Sequence, residues 1–136
     1  MQAKVLILSA ALLSGFAFGA QAAEAVTGDV VAGEKVFNQC KQCHHIGAGA
    51  TNFYGPSLNG LIGRPAGTMP GYNYSEANKH SGKVWDVPTL TSYLKQPQHD
   101  VPATYMTFKG LTNQADIDNV IAYIAQFGTS GGKIGQ

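Results

Sequence analysis

The sequence of 136 residues has little charge, few cysteines and no extended β pattern. Only 12 % of its residues are charged, and nine Lys and Arg stand against eight Asp and Glu. Without an excess of positive charge the chain is a poor candidate for nucleic-acid binding. Two cysteines are too few for a disulfide-dense scaffold. No internal repeat and no low-complexity tract is present, and no run alternates polar and apolar residues for long enough to read as a strand. The longest apolar stretch, Val5 to Ala20, is about 16 residues, short of the ~20 that a membrane-spanning helix needs.

That stretch nevertheless accounts for much of the 44 % hydrophobic content. Lys4 is the only charge in the first 22 residues, the apolar run follows it, and Ala20-Gln21-Ala22 places small residues where a signal peptidase reads them. Residues 1–22 are therefore expected to be a cleaved signal peptide and residues 23–136 a single domain. The competing reading is an uncleaved anchor. Export implies a bacterial periplasm rather than a mitochondrial intermembrane setting, and thiols there are oxidised unless bound to something.

The remainder carries most of the 17 Gly and all 6 Pro, and long loops follow. A first helix is expected from about Val30 to Lys41, capped by Asp29, with Val31, Phe37 and Cys40 toward one side. Residues 46–73 read as loop. Ser75 is placed to cap a short helix through Lys79. Asp86 caps another, which tolerates Pro88 in its first turn and stops before Pro97. Asn113 caps a last helix that reaches about Phe127 and ends at Gly128. Ile117, Val120, Ile121, Ile124 and Phe127 form its buried stripe. The expected class is all-α, three to five helices joined by long loops. Loops of such length in a small domain need an internal partner to pack on.

Cys40-Lys41-Gln42-Cys43-His44 has the pattern C-x-x-C-H. Two thiols at this spacing can add to the two vinyl groups of one haem, and the adjacent His can then reach the iron; the pattern reads as c-type haem attachment. A dithiol redox pair also uses C-x-x-C, but it belongs at a helix start after a strand, and none precedes it. Structural zinc needs four ligands, whereas only His45, His80 and His99 remain as nitrogen donors, without a second paired motif. A second iron ligand can come from Met106 or Met69.

Further stretches accompany this motif: Gly55-Pro56-Ser57-Leu58-Asn59-Gly60-Leu61-Ile62-Gly63-Arg64, then Pro70 to Asn78, Trp85, Tyr93-Leu94, Pro97, and Pro102-Ala103-Thr104-Tyr105-Met106-Thr107-Phe108-Lys109-Gly110. With these the chain, from Gly33 to about Tyr123, resembles a class I cytochrome c of the mitochondrial and related bacterial periplasmic type. The resemblance implies the cytochrome c fold, wrapped around one haem c attached through Cys40 and Cys43. It implies His44 and Met106 as axial ligands, with Met69 the weaker candidate. A soft Met sulfur favours ferrous iron and closes the sixth position, which argues against a haem enzyme.

Other residues take their roles from the same resemblance. The Pro56 carbonyl accepts from the His44 ring. Tyr74, Asn78 and Trp85 lie near a buried propionate, and Arg64 offsets its charge. Tyr93 lies near the Met sulfur, Thr104 donates toward the propionates, and Phe108 packs on the haem face near its exposed edge. Gly33, Phe37, Val120 and Tyr123 join the first and last helices. His45, His80 and His99 are expected on solvated surface.

The resemblance also departs from the mitochondrial proteins at the surface. Gln98, His99 and Tyr105 stand where those proteins carry Lys, which leaves Lys41, Lys95 and Lys109 as a thinner basic patch and weakens long-range steering. The implied activity is one-electron transfer by a monomer, not an enzyme. Its expected transient partners are a membrane quinol–cytochrome complex, a terminal oxidase, a photosynthetic centre or periplasmic oxidoreductases. The rival readings are a membrane-anchored carrier, an electron-entry subunit of a periplasmic oxidoreductase, and a small haem enzyme.

Overall fold

A computed structural model describes residues 24–135; the expected signal peptide, residues 1–22, lies outside them. Five helices follow in chain order: α1 (Val30–Phe37), α2 (Glu76–Lys79), α3 (Val87–Lys95), α4 (Pro97–Asp100) and α5 (Gln114–Ala125). Among the described residues the only β pairing is two isolated bridges, Pro65 with Val84 and Phe127 with Lys133. No helix of the described residues is long and apolar enough to cross a membrane.

Four of the helices start where a side chain satisfies an otherwise unpaired first-turn amide. Asp29 accepts from Ala32 N at 2.7 Å, Ser75 from Asn78 N at 3.1 Å, Asp86 from Thr89 N at 2.8 Å and Asn113 from Ala115 N at 2.9 Å. The fifth, α4, is an addition to the expected set. Pro97 does end α3, but its fixed φ and missing N–H also suit a first helical position, so it opens a new turn at once.

Several boundaries differ from the sequence expectation. Helix α1 ends at Phe37, and the chain continues through tighter turns, such as Cys40 N to Phe37 O at 2.8 Å and Cys43 N to Cys40 O at 3.0 Å. Val31 is 67 % exposed and does not share the buried side, because two residues of helix turn it away from the face set by Gly33 and Phe37. Helix α5 ends at Ala125. Gly128 is not in the left-handed region; Gly131 is, at φ 81°, and the tail folds back so that Ile134 N donates to Gln126 O at 2.7 Å.

The centre of the molecule is the contact of α1 with α5. Phe37, Ile117 and Val120 are fully buried, and the Phe37 and Tyr123 rings lie 5.1 Å apart. Gly33 makes the approach possible, for a methyl group there would collide with the Asn119 carbonyl and the Tyr123 Cβ. Helix α3 packs on both α4 and α5. Loop 46–73 contains no helix and is held by scattered backbone hydrogen bonds together with side chains. The Asn59 amide accepts from Gly47 N at 2.8 Å and donates to Gly47 O at 2.9 Å, while Asn52 accepts from Ser57 N and donates to Pro70 O, both at 2.9 Å. These Asn side chains supplement the loop's scattered backbone hydrogen bonds.

Candidate functional site

The loops and helices enclose a cavity of about 510 Å³, within the range of cofactor sites. Its wall includes twelve residues that the sequence singled out for a site: Cys40, Cys43, His44, Pro56, Arg64, Tyr74, Asn78, Trp85, Tyr93, Thr104, Met106 and Phe108. Met69 is not part of that wall; its sulfur lies 4.0 Å from an Arg64 nitrogen. The apolar lining adds Leu58, Leu61, Leu90, Leu94, Val120 and Ile124. None of these six was among the site residues expected from the sequence. The helical spacing of Leu90 and Leu94 was a usable signal for a buried face, but it does not distinguish a wall facing a cofactor from a wall facing another helix.

The turn after α1 carries Cys40, half-buried, and Cys43, exposed. Burial, reinforced by the charge of Cys43, pushes the Cys40 thiol up to about 11. A redox-active dithiol needs the opposite shift, so this is a poor setting for thiol–disulfide exchange. Among the described residues no three His, Cys, Asp or Glu side chains converge as a zinc site requires.

His44 follows on the same turn. Its Nδ1 lies 2.7 Å from the Pro56 carbonyl, and a proton on Nδ1 leaves Nε2 with its lone pair free. Burial lowers the pKa of His44 and the Pro56 bond opposes that shift. A neutral ring is the form that binds a metal. Gly55 seats the ring, since a Cβ there would overlap it.

Met106 lies on the cavity wall within an irregular segment. Tyr93, on α3, donates its hydroxyl to the Met106 sulfur at 3.3 Å. The Thr104 hydroxyl is 3.3 Å from Tyr93 Oη and accepts from Met106 N at 3.3 Å. Thr104 is thus engaged at the sulfur end of the cavity. The same strand of loop carries a local strain: Ala103 has φ 67°, a left-handed conformation that costs a residue with a Cβ about 1–2 kcal/mol.

A polar corner closes the cavity. Arg64 donates to Asn59 O at 3.2 Å and Ser57 O at 3.1 Å, both neutral acceptors, and its buried Nε has no partner. Burial lowers the Arg64 pKa while Tyr74 opposes the shift, but a guanidinium stays charged in any protein. Asn78 is buried, and its Oδ1 is likewise unpartnered. Turned over, the amide presents Nδ2 at that point, which the choice of O and N permits. The Tyr74 hydroxyl accepts from Met69 N at 3.3 Å, and Trp85 packs on Tyr93 with ring centres 4.8 Å apart. An unbalanced cation and an orphaned amide beside an apolar cavity fit a flat apolar group that bears carboxylates. These residues therefore suit a haem: two thiols on one turn, an imidazole, a thioether and a polar corner.

The remaining histidines divide. His80 and His99 are exposed, as expected. His45 is half-buried, contrary to expectation: it stacks on Phe53 with centroids 5.1 Å apart, and its Nδ1 lies 3.1 Å from Thr51 O. Lys41, Lys95 and Lys109 are all exposed.

Comparison with known proteins bears on the same residues. The family model described as cytochrome c matches residues 30–128. The chain is 54 % identical over 106 residues to cytochrome c2 of Rhodoblastus acidophilus, a match that spans 78 % of this chain and 99 % of the relative. It is 46 % identical over 123 residues to cytochrome c-554 of Methylosinus trichosporium, spanning 90 % of this chain and 93 % of the relative. Among solved structures, cytochrome c2 from Rhodospirillum centenum superposes with a TM-score of 0.71 at 35 % identity, over 74 % of this chain and 99 % of the other.

Proposed function

The chain belongs to the cytochrome c family and carries one covalent haem c on Cys40 and Cys43, and from that premise we propose that it is a soluble periplasmic one-electron carrier with His44 and Met106 as its axial ligands. The observation that carries the ligand reading is the placement of the His44 imidazole and the Met106 sulfur on the wall of one cavity, beside both thiols. When bound, the haem supplies reversible one-electron chemistry at its iron.

The protein's own residues do the rest. Pro56 and Gly55 fix the His44 ring on the cavity wall. Tyr93 and Thr104 hold Met106 from α3 and from its own segment. Leu58, Leu61, Leu90, Leu94 and Phe108 keep water away, which limits solvent reorganisation when the charge changes. Arg64, Asn78, Tyr74 and Trp85 would receive the propionates. With His44 and Met106 as the iron ligands no site would be left for a substrate, which supports a carrier rather than an enzyme.

Residues 1–22 form a signal peptide cleaved after Ala22. The partners are a membrane quinol–cytochrome complex on one side and a photosynthetic centre, terminal oxidase or periplasmic oxidoreductase on the other, each met in a transient complex. Cyclic voltammetry of the purified protein tests the carrier reading. One reversible one-electron wave, with no binding of carbon monoxide to the reduced protein, is expected; ready binding of carbon monoxide overturns it in favour of a haem enzyme. Intact mass tests the processing. Loss of 22 residues with gain of one haem is expected, and a full-length haem protein in the membrane fraction points instead to an anchored carrier.

Charge makes a separate prediction. Gln98, His99 and Tyr105 leave the basic patch thin, so electron-transfer rates with a highly acidic partner should fall less steeply with salt than those of Lys-rich relatives. Stopped-flow rates across ionic strength check this, and an equally steep fall contradicts it.

A further inference from the structure

The segment that carries Met106 has almost no backbone support. Among the described residues, no backbone–backbone hydrogen bond uses the N–H or C=O of any residue from Tyr105 to Gly110. What holds it is side chains. Thr104 accepts from Met106 N and Tyr93 reaches the sulfur, but neither touches the carbonyls.

Gln98 does. From α4 its carboxamide nitrogen donates to Met106 O at 2.7 Å and to Phe108 O at 2.9 Å. A primary amide has two N–H groups, and both are used. Both acceptors are carbonyls, so the orientation of the amide is determined: turned over, it would set oxygen against oxygen. The two acceptors bracket Thr107, and a single side chain therefore pins the backbone on both sides of it.

The base of this clamp is firm. Pro97 is fully buried and Val101 is 2 % exposed. Asp100 accepts from Ser92 at 3.0 Å and lies 3.6 Å from the Lys83 ammonium. Helix α4 is thus anchored on both sides of Gln98, while the segment that Gln98 grips is not.

We propose that Gln98 is a positioning residue for the Met106 ligand, clamping the carbonyls of Met106 and Phe108 so that the sulfur resists displacement from the iron. The proposal rests on the reading of Met106 as axial ligand. An external ligand that displaces the sulfur must move this segment outward. With the clamp in place that movement breaks two hydrogen bonds, and without it the movement breaks neither.

The test is an imidazole titration of the ferric holoprotein, alongside Gln98→Met, which keeps the length but has no donor, and Gln98→Glu, which keeps the shape but sets acceptors against the two carbonyls. Imidazole should bind roughly five- to tenfold more tightly to Gln98→Met, as two solvent-accessible hydrogen bonds allow, and more tightly still to Gln98→Glu. Backbone amides of residues 105–110 should exchange faster in both variants. Imidazole affinities within twofold of the parent overturn the proposal. A lowered denaturation midpoint with unchanged imidazole affinity also overturns it, by assigning Gln98 to general stability. If the parent itself lacks the near-infrared ferric band of Met ligation, the ligand reading fails and the proposal falls with it; if the band is present and the affinities are unchanged, only the clamp fails.

Discussion

Met106→Ala is expected to abolish the weak near-infrared band that a Met sulfur gives ferric haem, and to lower the reduction potential by on the order of 0.1 V. The sulfur is soft and favours ferrous iron, and water or hydroxide in its place favours ferric. Met69→Ala is expected to keep both the band and the potential, because Met69 is outside the cavity wall and its sulfur makes only a 4.0 Å approach to Arg64. Absorption and voltammetry of the two variants side by side check the assignment. Loss of the band in Met69→Ala with retention in Met106→Ala reverses it.

Gly33→Ala is the second substitution with a large expected effect. Helix propensity alone predicts a gain, since Ala is about 1 kcal/mol better than Gly inside a helix. The packing predicts a loss. The added methyl group meets the Asn119 carbonyl and the Tyr123 Cβ, neither of which is the free end of a flexible side chain. Helices α1 and α5 must separate, and Phe37, Val120 and Ile121 lose close packing. A loss of about 3 kcal/mol is expected, a large share of the 5–15 kcal/mol by which a domain of this size is stable. Chemical denaturation of the holoprotein measures it. A stabilised Gly33→Ala protein would show that the helices do not meet at this glycine.

The parts of the fold legible in the sequence are those decided locally. Asp29, Ser75, Asp86 and Asn113 announce helix starts because a short polar side chain satisfies an amide two or three residues on, whatever the rest of the chain does. The stripe on α5 was readable from its spacing. What escaped depends on context. Pro97 signals both the end of one helix and the start of another, and only the packing of α4 on α3 separates the two. Val31 and Phe37 are both apolar in one helix, and the close approach at Gly33 decides which is buried. His45 resembles a surface histidine until Phe53 folds across it.

The candidate site shows the same division. Cys40, Cys43 and His44 are contiguous, and their chemistry follows from spacing alone. Arg64, Tyr74, Asn78, Trp85, Tyr93, Thr104, Met106 and Phe108 are scattered, and only likeness to the cytochrome c family drew them together in the sequence. The cavity wall brings them together in space. Gln98 carried no signal of its own; its two bonds exist because α4 exists, and the sequence did not announce α4.

The attachment of haem to Cys40 and Cys43 supports every other step, and a pyridine haemochrome spectrum of the purified protein, recorded after acid–acetone extraction, tests it most directly. One c-type haem per polypeptide, retained by the protein, is the predicted result. Haem that passes into the acetone, leaving a colourless protein with two free thiols, would contradict it.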